Sequence, residues 1–136
     1  MSSAPASPPP PPLISEYADG GFTVADEFHH GSIIITGEEG EGFVVQPWSV
    51  TDEKMITRES LEAIYGSAHR PMLVLLGVGD KMEHPFAKLR VELAKEGIGV
   101  EIQTTPAACR TWNLLLSEGR KVAFAAVHAQ DTNLLK

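Results

Sequence analysis

The chain has 136 residues, 43% hydrophobic and 21% charged, with a formal net charge of -7; that is room for one globular domain, and the acidic balance lacks the basic footprint by which proteins hold nucleic acid. The single cysteine, Cys109, excludes an intramolecular disulfide and fits a reducing compartment. No apolar run approaches the ~18 residues of a membrane span, and with Lys54 as the first basic residue neither a secretory leader nor an Arg-rich presequence is expected.

Residues 1–13 open as MSSAPASPPPPP and read as a solvated, disordered tail, with Pro8 to Pro12 forming a polyproline II stub. A single α/β domain is expected over 14–130, followed by a short C-terminal tail at 131–136. Phe22 to Val24 is a short strand candidate, and Gly31 to Thr36 (GSIIIT) a better one, rich in β-branched residues. Gly37 to Gly42 forms a loop, and Phe43 to Gln46 a third strand, so the opening reads as a small meander. The rhythm then changes. Thr57 to Ala68 predicts a helix with Thr57 as N-cap and Leu61, Ile64 and Tyr65 on one face. Met72 to Leu76 (MLVLL) is the continuous apolar run of a strand buried on both faces. Pro85 to Lys95 predicts a helix with Pro85 at its first position, an inward stripe of Phe86, Leu89 and Leu93, and an end at Gly97. Ile98 to Gln103 is the next strand. A helix over Pro106 to Glu118 follows, capped by Thr105 and closed by Gly119, and Val122 to Val127 (VAFAAV) is a last buried strand. Strand, helix, strand, helix, strand implies crossover connections and a largely parallel sheet.

In open α/β sheets ligands sit beyond the carboxyl ends of the strands. Two such ends are visible, at Gly77-Val78-Gly79-Asp80-Lys81 and at Thr104-Thr105-Pro106. If their strands are neighbours, both loops edge one crevice. Gly77 and Gly79 do not complete a dinucleotide fingerprint, because the third glycine position holds Met82. The next helix carries Ala107-Ala108-Cys109-Arg110-Thr111-Trp112-Asn113, in which Cys109, Arg110 and Asn113 are neighbours at helical spacing. Arg110 lies near the positive end of the helix dipole and calls for an offsetting anion. An ion pair with Asp80 or another carboxylate is the structural reading; an anionic ligand or a partner's carboxylate is the functional one. Cys109 acts as a nucleophile only if His84 or His128 supplies a base, and a small buried thiol is the plainer expectation. The candidate binding set is thus Gly77, Gly79, Asp80, Thr105, Cys109, Arg110 and Asn113, with no catalytic residue assigned. His29 and His30 point to opposite faces of a strand and do not share a metal. No cofactor is expected. Trp48 is read as closing the sheet by burial rather than as an exposed interface anchor.

The runs Gly97-Ile98-Gly99-Val100-Glu101, Ala107 to Leu115 and Glu118 to Val122 resemble a known family, with support from Gly31-Ser32-Ile33, Pro47-Trp48 and Leu75-Leu76-Gly77-Val78-Gly79 upstream. That family contains the mitochondrial assembly factor 3 of respiratory complex I and uncharacterised bacterial and archaeal members. The resemblance covers about Phe22 to Val127. It implies a three-layer α/β fold, with a mixed, mostly parallel central sheet flanked by helices and a small extra β layer. It also implies no established catalytic activity and, in the eukaryotic branch, a role in building complex I through protein contacts. Thr105-Pro106 departs from the glycine of the family pattern, and the tail without Arg points to a bacterial member.

The expected function is therefore a non-enzymatic protein-binding module, an assembly factor for respiratory complex I or a bacterial relative of unknown role. It would act in the bacterial cytoplasm or, alternatively, in the mitochondrial matrix. Its partner is another protein, a respiratory-complex subunit or assembly partner, with no nucleic acid and no membrane span. The rival is a small-anion-binding protein or weak enzyme using Cys109 and Arg110 in the same crevice. A third reading is a homo-oligomer formed through a sheet edge or Trp48.

Overall fold

The computed structural model describes residues 10–38, 41–66, 70–82 and 85–128. Residues 1–9 of the expected tail, 39–40 of the acidic loop, 67–68 of the first helix, His84, and the tail from 131 lie outside them.

Strands β1 (Ile14–Ala18), β2 (Gly21–Val24) and β3 (Glu27–His30) form a small antiparallel sheet. Two-residue turns join them, Asp19-Gly20 and Ala25-Asp26, with φ of 59°, 81°, 49° and 68°. Positive φ at both central residues is the turn whose twist matches paired strands. A second sheet follows. β4 (Ile33–Glu38) pairs antiparallel with β5 (Gly42–Pro47) on one side and with β8 (Val122–Ala126) on the other. β8 runs parallel to β6 (Leu73–Gly77), and β6 parallel to β7 (Gly99–Gln103), giving the order β5-β4-β8-β6-β7.

The central sheet is mixed, and the expectation of a mostly parallel one is corrected. Only the crossover unit from β6 to β8 is parallel. The β4–β5 hairpin, expected in the opening meander, instead extends the main sheet beside β8 in the antiparallel sense. The extra β layer is built from β1 to β3, of which the sequence signals only β2.

Alternation along the strands divides the core. Ile34, Val74, Leu76, Ala123 and Ala125 face one side, against Trp48, Leu61, Ile64, Leu89 and Leu93. Ile33, Ile35, Leu75, Phe124 and Ala126 face the other, against Ile14, Phe22, Ala108 and Trp112. Trp48 is buried, as read, and its indole N–H donates to the Ser60 carbonyl at 2.7 Å.

The first helix is shorter and tighter than expected. It is a 3-10 turn at Glu59–Leu61 running into α1 (Glu62–Tyr65) and Gly66. Arg58, not Thr57, stands in the capping position and makes no side-chain cap bond; Thr57 Oγ1 accepts from the Ser60 N–H at 3.2 Å, while Ser60 Oγ accepts from the Thr57 N–H at 3.0 Å. That reciprocal three-residue closure favours i+3 geometry. α2 (Ala87–Ala94) starts after Pro85, because Phe86 takes a left-handed φ of 53° and packs against the core. Leu89 and Leu93 bury as the stripe required, and the chain leaves α2 through the Ile98 N–H to Leu93 carbonyl bond at 3.0 Å. Arg58 and Arg70 both bond the Glu96 carboxylate, tying the first helix to the end of α2. Those bonds, Arg58's first, hold the Glu96 carboxyl below its ordinary range. α3 (Thr105–Ser117) has Thr104, not Thr105, in the capping position.

Candidate functional site

β6 and β7 are neighbours, so the loops at their carboxyl ends do lie side by side. They are knitted together rather than open. The Val78 N–H donates to the Gln103 carbonyl at 3.0 Å, the Thr105 N–H to the Gly79 carbonyl at 2.8 Å, and the Val127 N–H to the Gly77 carbonyl at 2.9 Å. The Thr105 hydroxyl accepts from the Gly79 N–H at 2.8 Å and donates to the Val127 carbonyl at 2.6 Å. This is why Thr105 does not cap its helix: its hydroxyl is already engaged on both sides. A Cβ on Gly77 would stand 3.0 Å from the Ala126 Cβ and 3.1 Å from the Thr105 Cα. Gly79 turns the chain at a φ of 100°. Gly77, Gly79 and Thr105 are buried, with Asp80 exposed at their rim. Gly77 thus serves a close backbone approach, and Gly79 a left-handed turn whose N–H is already taken by the Thr105 hydroxyl.

The α3 motif faces elsewhere. Ala108, Cys109 and Trp112 point into the core, and the Trp112 indole N–H donates to the Pro12 carbonyl at 2.9 Å. Asn113 spans Ile14 of β1: its Oδ1 accepts from the Ile14 N–H and its Nδ2 donates to the Ile14 carbonyl, both at 2.8 Å. A side-chain amide so placed imitates a neighbouring strand. The Thr111 hydroxyl bonds Gln103 Oε1 at 2.8 Å. Arg110 is left exposed on the same helix. No ion pair joins it to Asp80, and among the described residues no carboxylate partners it.

Arg110 overlooks an open cleft of about 240 Å³ between β1 and α3. Ser15, Glu16 and Tyr17 form one wall and Pro106 and Arg110 the other, with Cys109 and Asn113 behind. The seven residues picked from sequence therefore fall into two groups. Gly77, Gly79, Asp80 and Thr105 sit at the strand ends; Cys109, Arg110 and Asn113 sit at the β1 cleft. The β1 wall was missed because β1 itself was missed. Asp19-Gly20, a two-residue hairpin signal, would have revealed it.

Cys109 is 7% exposed, and burial pushes its thiol up to about 12, against a smaller opposing pull from Arg110. No hydrogen bond joins it to an imidazole among the described residues, where His128 packs on His30 at 6.4 Å. The thiol is expected to resist iodoacetamide in the native protein from pH 5 to pH 9 and to react once urea exposes it. Rapid native alkylation would contradict this. The sign of the linkage is fixed: stability from the neutral thiol is present below the unfolded value of about 8.5 and is lost as pH rises toward 12.

Comparison with known proteins adds kinship. A family model described as a protein of unknown function (DUF498/DUF598) matches residues 14–127. The zebrafish (Danio rerio) NADH dehydrogenase [ubiquinone] 1 alpha subcomplex assembly factor 3 is 40% identical over 115 residues, 85% of this chain and 63% of that protein. An uncharacterised protein of Rhodobacter capsulatus is 34% identical over 112 residues, 82% of this chain and 81% of that one. A crystal structure titled as an outer membrane protein from Bartonella henselae superposes with a TM-score of 0.76 at 30% identity, covering 91% of this chain and 100% of that one. The chain spans about three fifths of the length of the assembly-factor relatives it matches.

Proposed function

We propose that this chain, which belongs to the DUF498/DUF598 family of proteins of unknown function, is a non-catalytic protein-binding module of the assembly-factor kind. Its partner is a subunit of a respiratory complex or another protein engaged in building one, and its contact surface is the cleft between β1 and α3. Kinship with complex I assembly factor 3 supports the class of function. The observation that carries the surface is Arg110, an exposed guanidinium without a carboxylate partner among the described residues, set on a rigid helix beside a cleft. A planar fork held this way suits a carboxylate presented by another chain. No helix among the described residues is long and apolar enough to cross a membrane, and the work is assigned to the cytoplasm of a bacterial host or to the mitochondrial matrix.

The rival, an anion site or weak enzyme built on Cys109, has no support in the geometry. The thiol is buried with its pKa raised, and the Gly79 N–H is already bonded to the Thr105 hydroxyl.

Affinity capture of respiratory-complex subunits should weaken roughly 30-fold or more with Arg110→Ala, the loss of one member of a contact-forming charge pair at about 2–5 kcal/mol. Arg110→Lys should restore only part of it, because an ammonium lacks the fork. The melting temperature should stay unchanged. An Arg110→Ala protein that captures normally, or that unfolds, would show that Arg110 is not the contact.

A further inference from the structure

The two sheets end in four strands: β1, β3, β7 and β5. An edge strand offers unpaired N–H and C=O groups to any passing chain, and proteins blunt such edges. Three of these are blunted. On β1 the Asn113 side chain takes both backbone groups of Ile14. β3 carries Glu27 with His29 and His30. β7 carries the exposed Glu101, and Arg90 Nη1 donates to its Val100 carbonyl at 3.1 Å. β5 has none of these devices. Its six residues, Gly42-Phe43-Val44-Val45-Gln46-Pro47, include no charge, Val44 is 59% exposed, and its outer side has no strand partner among the described residues.

We propose that two copies of this chain pair through β5, antiparallel about a two-fold axis at Val44, to join their central sheets into one. The direction of the backbone groups follows from the register. The Trp48 N–H donates to the Ser32 carbonyl at 2.9 Å just beyond the ladder, and hydrogen-bonded and non-hydrogen-bonded pairs alternate along an antiparallel ladder. With Ile33 opposite Pro47 and Ile34 opposite Gln46, Gln46 and Val44 turn their groups toward β4. Phe43 and Val45 turn theirs outward. Centring the two-fold on Val44 sets Phe43 of each copy against Val45 of the other, so every one of these outward N–H and C=O groups finds a partner. Pro47, which has no N–H, is not called upon.

Charge selects the same arrangement. Glu38 and Glu41 flank the Gly42 end of the strand. Parallel pairing would bring the acids of the two copies together, whereas antiparallel pairing holds them a strand's length apart, about 20 Å. The two-fold also brings the exposed Val44 side chains together at a non-hydrogen-bonded position, where Cα atoms approach to about 4.5 Å. A self-complementary edge of this kind fits a second copy of the same chain.

Sedimentation equilibrium of the full chain tests this. The mass should approach twice the 14.7 kDa of the monomer as concentration rises. Val44→Lys sets like charges across the axis and should halve that mass while leaving the circular dichroism spectrum unchanged. Val44→Cys should form a disulfide-linked dimer under mild oxidation, since the expected approach falls within disulfide range. Val91→Cys, on the exposed side of α2, should not. A wild-type mass of one chain at every concentration overturns the proposal, as does a dimer that survives Val44→Lys. If the lysine variant does not fold, absence of the Val44→Cys cross-link overturns it instead.

Discussion

Replacing Trp112 with alanine should destabilise the protein by about 3–5 kcal/mol, a large share of the 5–15 kcal/mol that holds typical domains folded. Trp112 has no exposed surface and stands where α3, the central sheet and the N-terminal segment meet. Its ring lies 5.5 Å from Phe124 and 6.3 Å from Phe43, centroid to centroid, and its N–H reaches the Pro12 carbonyl. Alanine would leave a void bounded by both sheets and free a carbonyl to which no other donor among the described residues is bonded. Trp112→Phe keeps most of the packing and should lose about 1–2 kcal/mol with the hydrogen bond. Urea unfolding followed by circular dichroism measures both. Equal losses in the two variants would mean that the hydrogen bond, and not the volume, is what matters.

Thr105→Val should cost roughly 2–6 kcal/mol despite preserving shape. The hydroxyl is fully buried and serves two backbone groups, the Gly79 N–H and the Val127 carbonyl. Removing it orphans both, at about 1–3 kcal/mol each. Thr105→Ser keeps the hydroxyl and gives up one methyl, about 0.8 kcal/mol. The ordering, serine well above valine by chemical unfolding, is the signature of a lock made by an oxygen. A valine variant as stable as wild type would show that the strand-end loops are held by packing alone.

These two residues show what could be read from the sequence. The crossover half of the fold was legible because its signals are strong and local: MLVLL and VAFAAV are apolar runs that only a doubly covered strand explains, and the Leu89, Leu93 stripe fixed the inner face of α2. The antiparallel half was not. β1 reads Ile-Ser-Glu-Tyr-Ala and β3 Glu-Phe-His-His, too short and polar for a periodic signal, and the Asp19-Gly20 turn between the first two strands went unused. Missing β1 obscured the site as well. The helical spacing of Cys109, Arg110 and Asn113 was visible, but what they face was not. Asn113 turned out to hold β1, Cys109 to line the core, and Arg110 alone to look outward. Thr105 was read as a cap because a threonine before a Pro-led helix usually is one, yet its long-range partners, Gly79 and Val127, outbid the local one.

The claim that a partner docks at the β1–α3 cleft is tested most directly by where that partner can be cross-linked. A photo-reactive benzophenone residue placed at Ser15, in the cleft wall beside Arg110, is compared with one at Val91 on the exposed side of α2, each in the native host. Adducts to a respiratory-complex subunit or its assembly partner should form from position 15, should be absent from position 91, and should vanish from position 15 when Arg110→Ala is added. Adducts from position 91 alone, or adducts from position 15 that persist without the guanidinium, would contradict the assignment of the cleft and of Arg110 as the contact.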